Sequence, residues 1–233
     1  MSTNGTYLGW HFLRSDRKLR YEDSREVKAG EPLTVDVEPD LCQRGLHASE
    51  RLKDALWYAP GWVCCRVVLS GDVVTGNDKM VGKSRTVLWM IDAKDVILRW
   101  ALDCAKSVRH LTDDPRVTEC IELTEKYLNG EEVSKKDLRD SADAAVDAAY
   151  ATAAYAAQTA ARVADADAAY AAAPAASWAA AAYAASDATA AVDYEAAYEE
   201  RLTGLEADLE QRIIQKAKKE GVWVEDPWTE TTT

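Results

Sequence analysis

Between roughly residues 140 and 200 about half of the side chains are alanine, and this one feature excludes most architectures for that part of the chain. Alanine has the strongest helix propensity and offers little apolar area, so such a stretch folds as helices whose flat faces pack closely on other flat faces. At about 100° per residue, Asp140, Asp143, Asp147, Gln158, Arg162 and Asp165 fall on one side and alanine on the other. That pattern predicts an amphipathic helix through the span. Pro174 should interrupt it, because proline removes a backbone donor and collides with the preceding turn. A rod continuing through Pro174 would leave its alanine face wet, so a hairpin is the expected arrangement, with a kinked rod the other one open to the sequence. The stretch 168–186 carries no charge, yet it is too poor in Leu, Ile and Phe to be expected to span a membrane.

The first hundred residues read differently, with Val, Leu and Trp set between glycine and proline punctuation. Strands are expected at residues 6–13, 32–37 and 85–91, and at 62–76 as two strands hinged at Ser70-Gly71. One short helix should run from Glu50 to Ala59, capped by Ser49 and stopped by Pro60-Gly61. A longer helix follows from Asp92, with Val96, Leu98, Trp100, Leu102 and Val108 along it. The next is capped by Asp114, has Pro115 at its first position and ends at Asn129-Gly130. Another starts at Ser134. The last carries a conventional stripe of Leu202, Leu205, Leu209 and Ile213, with acids early and lysines late, as the helix dipole favours. The expected class is α+β: a small β-rich domain over residues 1–92, an alanine-rich helical bundle or hairpin over 93–221, and a polar tail over 222–233.

A net charge of −12 and a pI near 4.8 argue against nucleic acid and anionic membrane surfaces as partners, since both are held by Lys and Arg. The five cysteines follow no framework spacing and no positively charged start with an apolar segment after it is visible, so reduced thiols in a cytosol are expected. A metal centre is not expected. Cys64 and Cys65 are adjacent in a strand and therefore face opposite ways, and no Cys-x-x-Cys pair exists. Cys42 with His47 is the one local nucleophile–base pair. No phosphate-binding loop or dinucleotide fingerprint occurs, so no cofactor is expected, and "GDVVTGNDK" reads as a hairpin.

Several stretches resemble known families. "GWHFLRSDRKLRY", "LCQRGLHASERLKDALWYAPG" and "CRVVLSGDVV" resemble an uncharacterised domain of bacteriophage and bacterial proteins that shares an LC-x-x-G-[LF]-H-A segment. "WALDCAKSVRHLTDDPRVTECIELTEKYLNGE" with the alanine-rich helices after it resembles the helical immunity proteins of bacterial toxin systems, which implies protein binding by a helical surface. "RGLHASERLKDALWYA" is also similar to the stretch that lines a nicotinamide pocket in ADP-ribosyltransferase-like folds, with His11 as the matching front-wall residue. The glutamate that such enzymes need has no counterpart at the end of "SRTVLWMIDAKD", which offers Asp92 and Asp95.

The expectation is a noncatalytic binding protein of phage or bacterial conflict, acting in immunity or counter-defence, that neutralises a partner protein or sequesters a small ligand. His11, His47, Ser49 and Tyr58 are the expected ligand-binding residues, and Asp140, Asp143, Asp147 and Asp165 the expected face for a basic partner. Self-association through the alanine-rich and C-terminal helices fits the same pattern. Two other readings stand beside it: an ADP-ribosyltransferase-like enzyme using NAD, and a self-assembling structural accessory protein.

Overall fold

The β-branched and aromatic side chains of "TYLGWHFL" favour an extended chain, and it forms the first long strand of a five-stranded antiparallel sheet. Its order is β1 (Ser2–Thr3), β2 (Thr6–Leu13), β5 (Val63–Ser70), β8 (Ser84–Asp92) and β3 (Pro32–Thr34). A computed structural model supplies this structure and describes residues 2–3, 5–20, 23–148, 152–165 and 194–227. A smaller antiparallel sheet joins β4 (Leu46–Ala48), β7 (Met80–Gly82) and β6 (Val74–Thr75). With the helices that follow, the chain is α+β. It divides into two compact units, residues 1–93 with 212–233, and residues 94–211.

Register decides what each face of the large sheet carries, because directly opposed residues in an antiparallel ladder share a face. Gly9, His11 and Leu13 oppose Val67, Cys65 and Val63, and Leu69 and Val67 oppose Arg85 and Val87. These side chains belong to one face, whose core also takes Leu46, Ala48 and Met80 from the small sheet. Between Arg66 and Val67 the register on β8 shifts, so that Val67 opposes Val87 while Arg66 opposes Trp89. Leu88 is the extra residue of a bulge. Every second residue of β8 from Arg85 to Ile91 is still buried, but the first two lie on one face and Trp89 and Ile91 on the other. There they join Trp10, Phe12 and Cys64, which the same ladder places opposite or beside them. Trp10 and Trp89 meet edge to face at 5.7 Å and 81°, a favoured aromatic geometry. Arg66 lies 4.5 Å over the Trp10 ring and is held by both carboxylate oxygens of Asp226, at 3.2 and 2.8 Å. The C-terminal segment thereby docks on β5, and residues 212–221, placed with the helical part on sequence grounds, group with the first unit.

Helix α1 (Leu52–Trp57) is shorter than the expected Glu50–Ala59, and its cap is Arg51, which makes no side-chain cap bond. Ser49 is not the cap. Its main chain is engaged with Trp10 in a two-bond bridge, Trp10 N–H donating to Ser49 O at 2.7 Å and Ser49 N–H to Trp10 O at 2.9 Å. Pairing both backbone groups with β2 holds the residue in extended conformation, and the helix begins three residues later.

The second unit starts with α2 (Lys94–Ser107) and a 3-10 turn at Arg109–Leu111. It continues through α3 (Pro115–Leu128), α4 (Lys135–Ala148), α5 (Thr152–Asp165) and the first part of α6 (Tyr194–Lys219). Helix α5 packs on α2, α3 and α4. Ala142 and Ala145 of α4 and Ala156, Ala157, Ala160 and Ala161 of α5 are buried, the close helix approach that small side chains permit. The expected single helix through residues 140–165 is instead two. Arg162 pairs with Asp143 at 2.7 Å, whereas 19 residues of straight helix would separate them by about 28 Å, so the chain reverses between α4 and α5. Pro174 and the hairpin or rod expected there lie outside the described residues, as does the uncharged stretch 168–186. Among the described residues no helix is long and apolar enough to cross a membrane.

The caps of this unit follow the expected chemistry. Asp114 accepts from Arg116 N–H at 2.9 Å with Pro115 behind it. Ser134 and Asp137 satisfy each other's backbone amides at 3.2 and 3.1 Å, the reciprocal pairing of a capping box. Replacing Asp114 by alanine should lower the thermal midpoint of the helical signal by a few degrees, with Asp114→Asn close to wild type, in melts followed by circular dichroism. The stripe on α6 is also in place: Leu202, Leu205, Leu209 and Ile213 are all buried.

Candidate functional site

His11 on β2, Cys65 on β5 and Arg85 on β8 form a polar inlay in the face that packs against the small sheet. Arg85 is 2 % exposed. It donates from Nη1 to the main-chain oxygen of His47 at 2.7 Å, pinning β4 to the large sheet, while its Nε is buried with no partner. No carboxylate among the described residues pairs with it. Burial lowers its pKa to about 10, the expected penalty for an uncompensated cation. Burial pushes the Cys65 thiol up to about 12, so this thiol stays protonated and inert.

The same surroundings hold His11 neutral. Burial acts first, and the cations of Arg85, His47 and Arg20 add to it, putting His11 well below the ordinary imidazole value of 6.5. The unfolded chain then binds a proton at a pH where the folded chain does not. Stability from this residue is complete above pH 6.5 and is lost as pH falls toward the folded value. Urea midpoints at pH 7 and pH 5 should therefore separate more for the wild type than for His11→Gln; an equal separation would show that His11 does not carry this dependence.

His47 lies on β4 with its neighbours Leu46 and Ala48 turned into the core, so its ring points the other way. Its Nε2 accepts from the Cys42 amide at 3.2 Å, which places the proton of the neutral ring on Nδ1. Burial lowers its pKa, a hydrogen bond with the Gly45 backbone opposes this, and the cations of Arg85 and Lys79 add to the lowering. Cys42 and His47 thus do meet, but through the backbone. The Cys42 thiol receives a hydrogen bond from Lys79 Nζ at 3.3 Å. Lys79 also sits 3.9 Å over the Tyr58 ring, and its pKa is raised, first by Tyr58, then by Cys42 and Asp78. The Tyr58 hydroxyl donates to the Asp78 carboxylate, which raises the phenol's pKa.

Asp78 and Lys79 belong to the turn between β6 and β7, and that turn faces the start of α1 across a recess of about 440 Å³. Tyr7, Glu50, Arg51, Asp54, Asp78 and Lys79 contribute to its walls. Three carboxylates and two cations therefore share one small volume. Trp57 and Tyr58, both 48 % exposed, end the helix.

Of the four residues expected to bind a ligand, Tyr58 adjoins the recess through Asp78 and Lys79, His47 is linked to Lys79 by way of Cys42, and His11 lies in the buried inlay with Cys65 and Arg85. Ser49 is 3 % exposed in the bridge to Trp10. None of the four lines the recess itself. Of the expected acidic face, Asp140 is paired with Lys136 and Asp143 with Arg162. Asp147 is exposed, and the side chain of Asp165 lies outside the described residues. The recess residues carry a signal in the sequence, a Glu-Arg-x-x-Asp entry to a helix and an Asp-Lys hairpin turn, but only the fold brings them together. Among the described residues no group of three His, Cys, Asp or Glu is arranged to hold a metal ion.

The first unit is thus a small antiparallel β domain with a mixed-charge recess between its helix and a hairpin turn. Residues 10–99 match the family model of a domain of unknown function, DUF7666, which agrees with the resemblance carried by the LC-x-x-G-L-H-A segment to an uncharacterised domain. The match ends within α2. No curated protein matches the chain, and no solved structure does.

Proposed function

We propose that the chain is a noncatalytic binding protein of phage or bacterial conflict, working in the bacterial cytoplasm, that sequesters a small zwitterionic ligand in the recess between α1 and the β6–β7 turn. The observation that carries this reading is that Glu50, Asp54 and Asp78 line the same recess of about 440 Å³ as Arg51 and Lys79. Such walls match a molecule that presents an amine and an acid group together, and the volume is of the size small molecules occupy. The conflict setting rests on the resemblance of residues 99–132 to immunity proteins and of the first unit to phage domains. A basic protein partner on α4 has weaker support, since Asp140 and Asp143 already have cationic partners.

Thermal shift is the test. A dialysed sample of the full chain is melted with and without the low-molecular-weight fraction of a bacterial extract. A ligand at one hundred times its Kd adds about 2.7 kcal/mol, or roughly 8 °C for a chain of this size. An unchanged midpoint at every extract concentration would overturn the reading.

A further inference from the structure

We infer that Cys42 and Lys79 are the two ends of an oxygen-bridged covalent crosslink, formed by dioxygen, that ties the loop before β4 to the β6–β7 turn. Four observations on the pair support this. The Nζ–Sγ contact is 3.3 Å, so an oxygen atom bridges the two with a closure of less than an ångström. Both ends are held before reaction: Lys79 by the Tyr58 ring at 3.9 Å, and Cys42 by the hydrogen bond that its backbone N–H donates to His47 Nε2 at 3.2 Å, with its backbone at φ 67°. Cys42 is exposed, so an oxidant reaches it, while Cys64, Cys65, Cys104 and Cys120 are buried and do not compete as disulfide partners. The partners are 37 residues apart, so the bond closes a real loop and is not a local adduct.

The step balances with dioxygen as the only co-reactant. The ammonium releases a proton to solvent; the S–H bond, one N–H bond and the O–O bond break; S–O and O–N bonds form; and the second oxygen leaves as water. Sulfur and nitrogen each give up two electrons, and dioxygen takes all four. The bridged nitrogen no longer carries the ammonium charge, so the recess loses one of its two cations on oxidation. Because the bond constrains the unfolded chain, it also raises the melting temperature by several degrees.

Peptide mapping by mass spectrometry of the full chain, purified anaerobically and then divided between anaerobic and air-equilibrated buffer, tests the crosslink. The air-equilibrated chain should give one species joining the peptides of Cys42 and Lys79, heavier than their sum by an oxygen atom less two hydrogens. A thiol reductant should separate it. The anaerobic chain, Cys42→Ser and Lys79→Met should lack it, with circular dichroism confirming that both variants fold. Recovery of the two peptides unjoined from the air-equilibrated chain, or of an oxygen on Cys42 alone to the same extent in wild type and Lys79→Met, would overturn the proposal.

Discussion

Replacing Gly45 by alanine lowers the melting temperature of the first unit by roughly 10 °C, a large loss for a single methyl group. Two independent costs meet at this position. Its φ is +109°, and a Cβ there would lie 2.5 Å from Val81 Cγ2 and 3.3 Å from Gly82 O. Both neighbours belong to β7, the strand that pairs with β4 directly after Gly45, so relief needs either a turn of the fully buried Val81 side chain or a shift of the strand. A positive φ costs a residue with a Cβ about 1–2 kcal/mol, and overpacking costs about 1–3 kcal/mol more. Against them stands about 0.4–1 kcal/mol gained by restricting the unfolded chain. A double-mutant cycle with Val81→Ala separates the two costs: the pair should lose less than the sum of the single variants, because the truncated Val81 relieves the contact but not the dihedral. Simple additivity would mean that the backbone conformation alone is responsible.

The second large effect is expected on the opposite face. Trp89→Ala should cost about 3–5 kcal/mol, since Trp89 is 2 % exposed and packs edge to face on Trp10. Trp89→Phe should cost far less. It keeps an aromatic ring against Trp10 and removes a buried indole N–H that has no hydrogen-bond partner, which the fold otherwise carries as a penalty. Urea denaturation of the two variants decides the matter, and equal losses would mean that the indole N–H is satisfied in solution. The pair also probes the bulge at Leu88, because without it Trp89 would fall on the face of His11 and Arg85, away from Trp10.

That bulge marks where sequence reading stops. The apolar run in "RTVLWMI" identifies the strand correctly, and in the structure burial alternates along it from end to end. One extra residue nevertheless moves Trp89 and Ile91 to the other face while leaving the one-letter pattern intact. Ser49 illustrates a second limit. It has the chemistry of a helix cap and stands where a cap would, but tertiary pairing with Trp10 takes its backbone first. In the alanine-rich part the helix signal is strong, yet nothing between Ala148 and Thr152 in the sequence marks a reversal as proline does, so a two-helix packing reads as one amphipathic face. Asp114, Asn129-Gly130, Ser134 and the α6 leucines were legible because caps and apolar stripes depend on neighbours in sequence. The recess was not, since Glu50, Arg51 and Asp54 meet Asp78 and Lys79 only through the pairing of β4 with β7 and of β7 with β6.

Binding in the recess is tested most directly by what the protein carries out of the cell. The wild-type chain and an Arg51→Ala/Asp54→Ala variant, purified side by side from a bacterial host and denatured, are compared by mass spectrometry of the small molecules released. A zwitterionic compound should leave the wild type intact and in near-equal molar amount, and should be strongly depleted from the variant. No small molecule from the wild type, or the same amount from both chains, would contradict the recess as a ligand site.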